Sequence, residues 1–162
     1  MPRVRRARTD ARERARLEEI CLLTGAAGGD ATQLLDDPSL LTDAYLTPYL
    51  TLEPDLCLVL VDDDDTPVGY AIGTADTAAF EARCATWWPE ARARHIDLLP
   101  AVQGGGNGRL LITALLDALR EAGARGVHLG VDPANARALG FYRHLGFAEV
   151  PHAKGLVLGL PL

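Results

Sequence analysis

Sulfur, aromatic rings and unbroken apolar runs are all scarce in this chain. Three cysteines, Cys21, Cys57 and Cys84, stand at wide and irregular intervals in 162 residues. An odd number so spaced builds neither a disulfide framework nor a zinc site, and the three read as reduced core residues. Aromatic residues make up 6% of the chain, so aliphatic side chains must supply most of the core. No stretch approaches the ~18 apolar residues of a membrane-spanning helix, and the basic start, MPRVRRAR, is not followed by a signal-type apolar segment. The expectation is a soluble, cytoplasmic protein with no membrane partner. Surplus positive charge is lacking too. The net charge is −6, although seven of the first sixteen residues are arginine. Arginines alternating with apolar residues and acids fit an edge strand running into a solvated helix, and the overall acidity opposes a nucleic-acid partner.

What is present suits one globular domain spanning residues 1–162. Hydrophobic residues reach 48% and charged residues 23%, enough for one well-buried core and short for two. Strands and helices alternate along the chain. Residues 3–7 read as a strand, and Thr9 as the cap of a helix running to about Leu23 with Ala11, Ala15, Leu17, Ile20 and Cys21 on one face. GAAGGD breaks that helix, and residues 31–46 read as one or two short helices interrupted near Pro38. LCLVLV (56–61) and VGYAIGT (68–74) flank DDDDTP, the pattern of a hairpin with a solvated turn rather than a cation site.

A helical stretch from about Asp76 to Trp88 ends in WWPE. Adjacent tryptophans cannot share one helical face, which leaves one of them for a pocket or an interface. HIDLL (95–99) reads as a strand. Residues 109–122 read as a helix with Leu111, Ala114, Leu115, Ala118, Leu119 and Ala122 inward, closed by Gly123. GVHLGV (126–131) is a strand, residues 135–145 a helix closed by Gly146, and AEV and LVLGL two closing strands. Neither an internal repeat nor a low-complexity linker is present.

QGGGNG (103–108) stands between a strand and a helix N-terminus. Such an end carries unpaired N–H groups and a partial positive charge, and glycines let backbone wrap an anion without Cβ clashes. A phosphate is the expected guest; a merely flexible connection is the alternative. The pattern matches neither the GxxxxGK[ST] phosphate loop nor the dinucleotide GxGxxG with its acidic residue.

Gln103, Gly106 and Gly108 do fit Q/R-x-x-G-x-G/A, which resembles the pyrophosphate-binding signature of the GNAT superfamily of acetyl-CoA-dependent N-acetyltransferases. The order LLPAVQGGGNG, apolar helix, strand, NARALGFYRHLGF across residues 95–150 is similar to the same superfamily. From about Val68 onward, GYAIGTADTAAFEARC, WWP, HIDLLP and FYRHLGF resemble the acetyltransferase-like C-terminal domain of O-GlcNAcases and its bacterial stand-alone relatives.

The resemblance implies an α/β (α+β) fold: a mixed, mostly antiparallel sheet of six or seven strands flanked by helices, its two central parallel strands, HIDLL and GVHLGV, splayed apart. It implies acetyl-CoA as co-substrate, with the pyrophosphate held by backbone N–H groups of Gln103, Gly104, Gly105, Gly106, Asn107, Gly108 and Arg109. Exposed backbone near Leu98 and Leu99 would then bond the pantetheine arm and the acetyl carbonyl, whose developing negative charge a fixed N–H stabilises. Asn135 would contact the cofactor arm, and Tyr142 would contact it and protonate the departing thiolate. From the residues alone, Asn135 could simply cap the helix and Tyr142 could be a half-buried core aromatic. No metal is needed.

A base must take the amine proton. Asp97 is the first candidate, with His95 on the same side of its strand and His128 on GVHLGV next; polar side chains on central strands suggest a wet cleft, or groups that satisfy one another in the core. Only Glu90 to Arg94 separates WWP from HIDLL, shorter than the excursion usual in the relatives. That implies either a more open acceptor site or a segment absent from this chain. The expected activity is acetyl transfer to a primary amine of a small molecule or peptide. A non-catalytic module of the same fold is the competing reading, and a histone-type acetyltransferase a label inherited from the same relatives. The tryptophan pair and the closing strands are candidate surfaces for a homodimer.

Overall fold

The structure, a computed structural model, describes residues 2–26, 28–34, 37–85, 96–98 (backbone only), 105–151, 153 and 155–162. In chain order its elements are β1 (Arg3–Arg6), α1 (Ala11–Thr24), α2 (Ser39–Tyr45), α3 (Thr47–Leu52), β2 (Cys57–Val61), β3 (Pro67–Ile72), α4 (Thr77–Cys84), β4 (Ile96–Leu98), α5 (Asn107–Glu121), β5 (Gly126–Gly130), α6 (Ala136–His144), β6 (Ala148–Glu149) and β7 (Val157–Pro161). A single 3-10 turn, Pro54–Leu56, leads into β2.

The strands form a four-stranded sheet in the order β1-β2-β3-β4 and a three-stranded sheet in the order β5-β7-β6. Every ladder among the described residues is antiparallel. β4 ends the first sheet, β5 begins the second, and no ladder joins them among the described residues. The break therefore falls between the two strands expected to splay. The architecture is the mixed, mostly antiparallel α/β fold that the sequence implies.

β2 and β3 are buried on both faces, which is why they read as near-continuous apolar runs. On one side Leu58, Leu60, Val68 and Ala71 join Leu111, Ile112, Leu115, Leu116 and Leu119 of α5, Val127 and Leu129 of β5, Tyr142 and Leu158 in one cluster. On the other, Cys57, Val59, Val61, Tyr70 and Ile72 meet Leu17, Ile20 and Cys21 of α1, Tyr49 of α3, and Phe80 and Cys84 of α4. Each fully buried Leu or Val contributes about 1.5–3 kcal/mol. One core thus binds both sheets to α5.

Two helix faces differ from the sequence expectation. α1 is capped by Asp10, not Thr9: the Asp10 carboxylate accepts from the N–H groups of Arg12 and Glu13. Ala11 and Ala15 are exposed, while Glu13 is buried. In α5 the buried row is Leu111, Ile112, Leu115, Leu116 and Leu119, and Ala122 is exposed, because larger side chains take the centre of the contact and the alanines its flank.

Glu13 is 5% exposed and accepts from both Arg5 Nη atoms, at 2.9 and 2.6 Å, and from the Arg8 backbone N–H at 2.6 Å. Arg5 also donates through Nε to Asp65 at 3.0 Å. Glu13, and after it Asp65, hold the Arg5 guanidinium further above its already high range. Asp65 pairs with Arg3 and Arg8 as well, so the DDDDTP turn is not simply solvated. Asp62 folds that turn by accepting from the N–H groups of Asp64 and Thr66, and Asp65 takes a left-handed backbone, φ 62°. Six of the seven N-terminal arginines lie in ion pairs with carboxylates. Of these, Arg3, Arg5 and Arg8 converge on Asp65 and tie the N-terminal segment to the turn of the β2-β3 hairpin.

Candidate active site

α5 is the most sharply amphipathic helix of the chain, and its buried row fixes it across β2 and β3. Leu115 and Leu119 close on Gly73, where an added Cβ would lie 3.7 and 3.8 Å from their methyl carbons. At its C-terminus Ala124 N–H donates to Leu119 O and Gly123 N–H to Arg120 O, the paired closure of a Schellman motif. With shaft and C-terminus held, the N-terminus is a fixed object.

That N-terminus is built from Gly105 and Gly106, with φ of 53° and 83°. Gly106 is the N-cap and offers no side-chain hydrogen bond to the first turn. Among the described residues an added Cβ at either glycine would meet no atom within 4 Å, so the positive φ is what favours glycine there. Leu110 N–H already donates to Gly106 O at 2.9 Å. Gly108 and Asn107 are half-buried and Arg109 is exposed. A left-handed glycine pair opening a helix fits an anionic diphosphate. Gln103, Gly104 and Leu99 lie outside the described residues.

α6 presents the second set. Asn135 is its N-cap, Oδ1 accepting from Ala138 N–H at 3.0 Å. Tyr142 is 9% exposed in the shared core. Its ring meets Phe141 and Phe147 edge-on, with centroids 5.2 and 5.5 Å away. Phe147 N–H donates back to Tyr142 O at 3.1 Å and Gly146 N–H to Arg143 O, so the helix end beside Tyr142 is closed as firmly as that of α5. Both residue-level readings of Asn135 and Tyr142, cap and core aromatic, describe real contacts.

The base candidates separate. Asp97 and Leu98 stand on β4 opposite Tyr70 and Gly69 respectively, and His95 lies outside the described residues, as does the tryptophan pair. β5 alternates: Val127 and Leu129 are buried while Gly126, His128 and Gly130 are exposed. His128 therefore lies on the face of β5 away from the cluster holding Tyr142. A strand covered on one face needs apolar residues only at alternate positions, so His128 does not signal a buried wet cleft. The expectation for the three cysteines holds: none is in a disulfide and all are buried. Burial, and after it the charge of Glu53, pushes the Cys57 thiol up to about 12; burial also raises Cys84. Among the described residues no group of His, Cys, Asp and Glu could hold a metal ion, and no helix is long and apolar enough to cross a membrane.

Sequence reasoning passed over one neighbour of this site. GAAGGD was legible only as a helix break, yet Gly28 within it lies near Asn135: a Cβ added at Gly28 would stand 3.6 Å from Asn135 Nδ2. Two glycines in a row after a helix were the available signal.

Comparison with known proteins gives the class of this scaffold. The acetyltransferase (GNAT) family model matches residues 30–147. The chain belongs to this family of acetyl-CoA-dependent enzymes. The crystal structure of SsHAT superposes with a TM-score of 0.84 at 35% identity, covering 99% of this chain and 98% of that one. Streptothricin acetyltransferase of Streptomyces lavendulae is 28% identical over 141 residues, 78% of this chain and 75% of the relative. Protein O-GlcNAcase of Rattus norvegicus is 25% identical over 158 residues, 73% of this chain; the chain spans only 17% of that protein's length.

Proposed function

We propose that this chain transfers the acetyl group of acetyl-CoA directly to a primary amine of a small molecule or peptide. The observation that carries the reading is the left-handed Gly105-Gly106 entry to α5, uncrowded by the described residues. The pyrophosphate would lie there, against backbone N–H groups from Gln103 to Arg109. Similarity to streptothricin acetyltransferase, whose name states a small-molecule acceptor, supports the small-molecule end of the range. Homodimer formation and a cytoplasmic site of action stay part of the proposal.

In the step itself the amine lone pair attacks the thioester carbonyl and a backbone N–H near Leu98 and Leu99 takes up the negative charge on its oxygen. As the carbon–sulfur bond breaks, the Tyr142 hydroxyl protonates the thiolate, and a base takes the proton that the amine loses. Asp97 is the first choice for that base, His95 the second. His128 ranks last because of its exposed face.

Calorimetric titration with acetyl-CoA, using CoA for comparison, tests the reading. Saturable binding is expected, weakened about tenfold or more by Gly106→Glu, which sets a carboxylate where the phosphate should lie. Binding that ignores Gly106→Glu would move the diphosphate elsewhere. No binding at millimolar ligand would leave a non-catalytic module, the role that similarity to part of O-GlcNAcase favours. Release of CoA in the presence of candidate amines then separates enzyme from module.

A further inference from the structure

Between helix α3 and the strap that joins β1 to α1 lies a cavity that the acetyl-transfer scheme does not use. Ala7, Arg8 and Thr9 of the strap, Arg14 of α1, Leu50 of α3, Pro54 and Cys57 line about 50 Å³ of space. Its walls stand on hydrogen-bonded backbone. Ala7 N–H donates to Cys57 O at 2.8 Å, while Glu53 N–H to Tyr49 O and Leu56 N–H to Glu53 O, each 2.9 Å, lead the chain from α3 into β2. Ala7, Leu50 and Cys57 belong to the cluster on the α1 side of the first sheet, whereas α5 and Tyr142 pack on its other side. The cavity is therefore separate from the acetyl-transfer site.

The lining has two characters. Arg8, Thr9 and Arg14 are polar; Ala7, Leu50 and Pro54 are apolar, and the buried Cys57 thiol behaves as a small hydrophobe. Arg8 pairs through Nη2 with Asp65 and, at 3.9 Å, through Nη1 with Glu13. Arg14 donates through Nε to Glu18 at 3.0 Å and through Nη2 to Thr47 Oγ1 at 3.2 Å. A guanidinium carries five N–H donors, so each arginine has more than these bonds use. Both are about half exposed, at 55% and 44%, where existing ion pairs are weak and leave room for a further anion. A carboxylate is the small anion whose two oxygens match the guanidinium fork and whose other end can be apolar. Size decides the rest. A cavity of about 150 Å³ takes benzene, and a third of that volume takes a short alkyl chain but no ring.

We propose that this cavity is a second ligand site, which takes a free saturated monocarboxylate of about two to four carbons. The carboxylate lies on Arg8, Thr9 and Arg14, and the alkyl end on Leu50, Pro54 and Cys57. The site does not depend on the function proposed above, and its ligand binds alongside acetyl-CoA rather than in its place.

Titration of the labelled full chain with sodium propionate, followed by amide NMR, tests this. Saturable shifts are expected at Ala7, Thr9, Leu50 and Cys57 with a midpoint of about a millimolar, as suits so small a ligand, and none with sodium chloride at the same ionic strength. Arg14→Gln, at a half-exposed position that the fold tolerates, should raise the midpoint about tenfold or more. Leu50→Phe, which fills the apolar end, should remove the shifts while Arg8 and Arg14 stay in place. Equal shifts with chloride, no shifts with propionate, or a midpoint unchanged in both variants would overturn the site. Displacement of propionate by acetyl-CoA would put it in the acetyl-transfer site and overturn the proposal too. Propionate binding by a chain that binds no acetyl-CoA would uphold the second site and defeat only the acetyl-transfer reading.

Discussion

Removing the Glu13 carboxylate is the sharpest test of how this fold is clamped. Glu13 is 5% exposed and accepts three hydrogen bonds of 2.6–2.9 Å from Arg5 and the Arg8 backbone. In Glu13→Ala the Arg8 N–H loses its acceptor and the Arg5 guanidinium, 16% exposed, loses two of its bonds. Breaking a buried pair from one side costs about 3–5 kcal/mol, since it strands the other charge. Arg5 is not wholly stranded, because Asp65 still accepts at 3.0 Å. The expected loss is therefore about 3 kcal/mol, the low end of that range. For a domain of this size such a loss lowers Tm by about 6–12 °C. Urea unfolding followed by far-UV circular dichroism should show a lower midpoint at unchanged slope. Replacing both partners, Arg5→Met with Glu13→Leu, should recover much of the loss, because no charge is left behind. A loss below about 1 kcal/mol for Glu13→Ala would refute the account and make the contact an ordinary surface pair.

Three other outcomes follow from the same structure. Tyr142→Phe keeps the ring packed between Phe141 and Phe147, so acetyl-CoA affinity and melting temperature should hold while kcat falls by about 10²–10⁴-fold; an unchanged kcat removes Tyr142 as the acid. The Asp65 carboxyl is held below the usual carboxylate range, first by Arg5 and then by Arg8. Its contribution is therefore fully present above the ordinary pKa of about 4 and is lost as pH falls through the lower folded value. The Tm gap between wild type and Asp65→Asn should narrow across that acid window, and a gap that widened would reverse the sign. With burial raising Cys57 and Cys84, a thiol-specific disulfide reagent at pH 8 should label none of the three cysteines of the native chain and all three after denaturation; rapid native labelling at Cys57 would show that its site opens.

Local and periodic features were the readable ones. LCLVLV and VGYAIGT declare a hairpin, Gly123 and Gly146 declare helix ends, and QGGGNG declares a glycine loop before a helix. Errors came where two residues of equal local merit compete or where the partner is distant in sequence. Thr9 and Asp10 both suit a cap, and only the carboxylate reaches two N–H groups at once. A buried Glu13 runs against its polarity, and its partners are Arg5 on β1 and the Arg8 backbone just beyond it, which no helical periodicity reveals. Asp65 looked solvated because its three arginines lie some sixty positions earlier. His128 invited a catalytic reading because strand alternation predicts a face but not which face is covered. Gly28 and Asn135 are more than a hundred residues apart, and their meeting is purely tertiary.

The order β5-β7-β6 has a consequence for how the chain is made. The middle strand of the second sheet, Val157–Pro161, is the last of the seven to leave the ribosome. Until it does, β5 and β6 have no partner for each other's edges, and Val127, Leu129 and Tyr142 lack the cover of Leu158. The first sheet and α5 can collapse early, as domains do from the N-terminal side during synthesis. The half that carries Asn135 and Tyr142 must wait, so premature termination even a few residues before Leu158 should yield a protein with the left-handed glycine entry to α5 formed and Tyr142 uncovered.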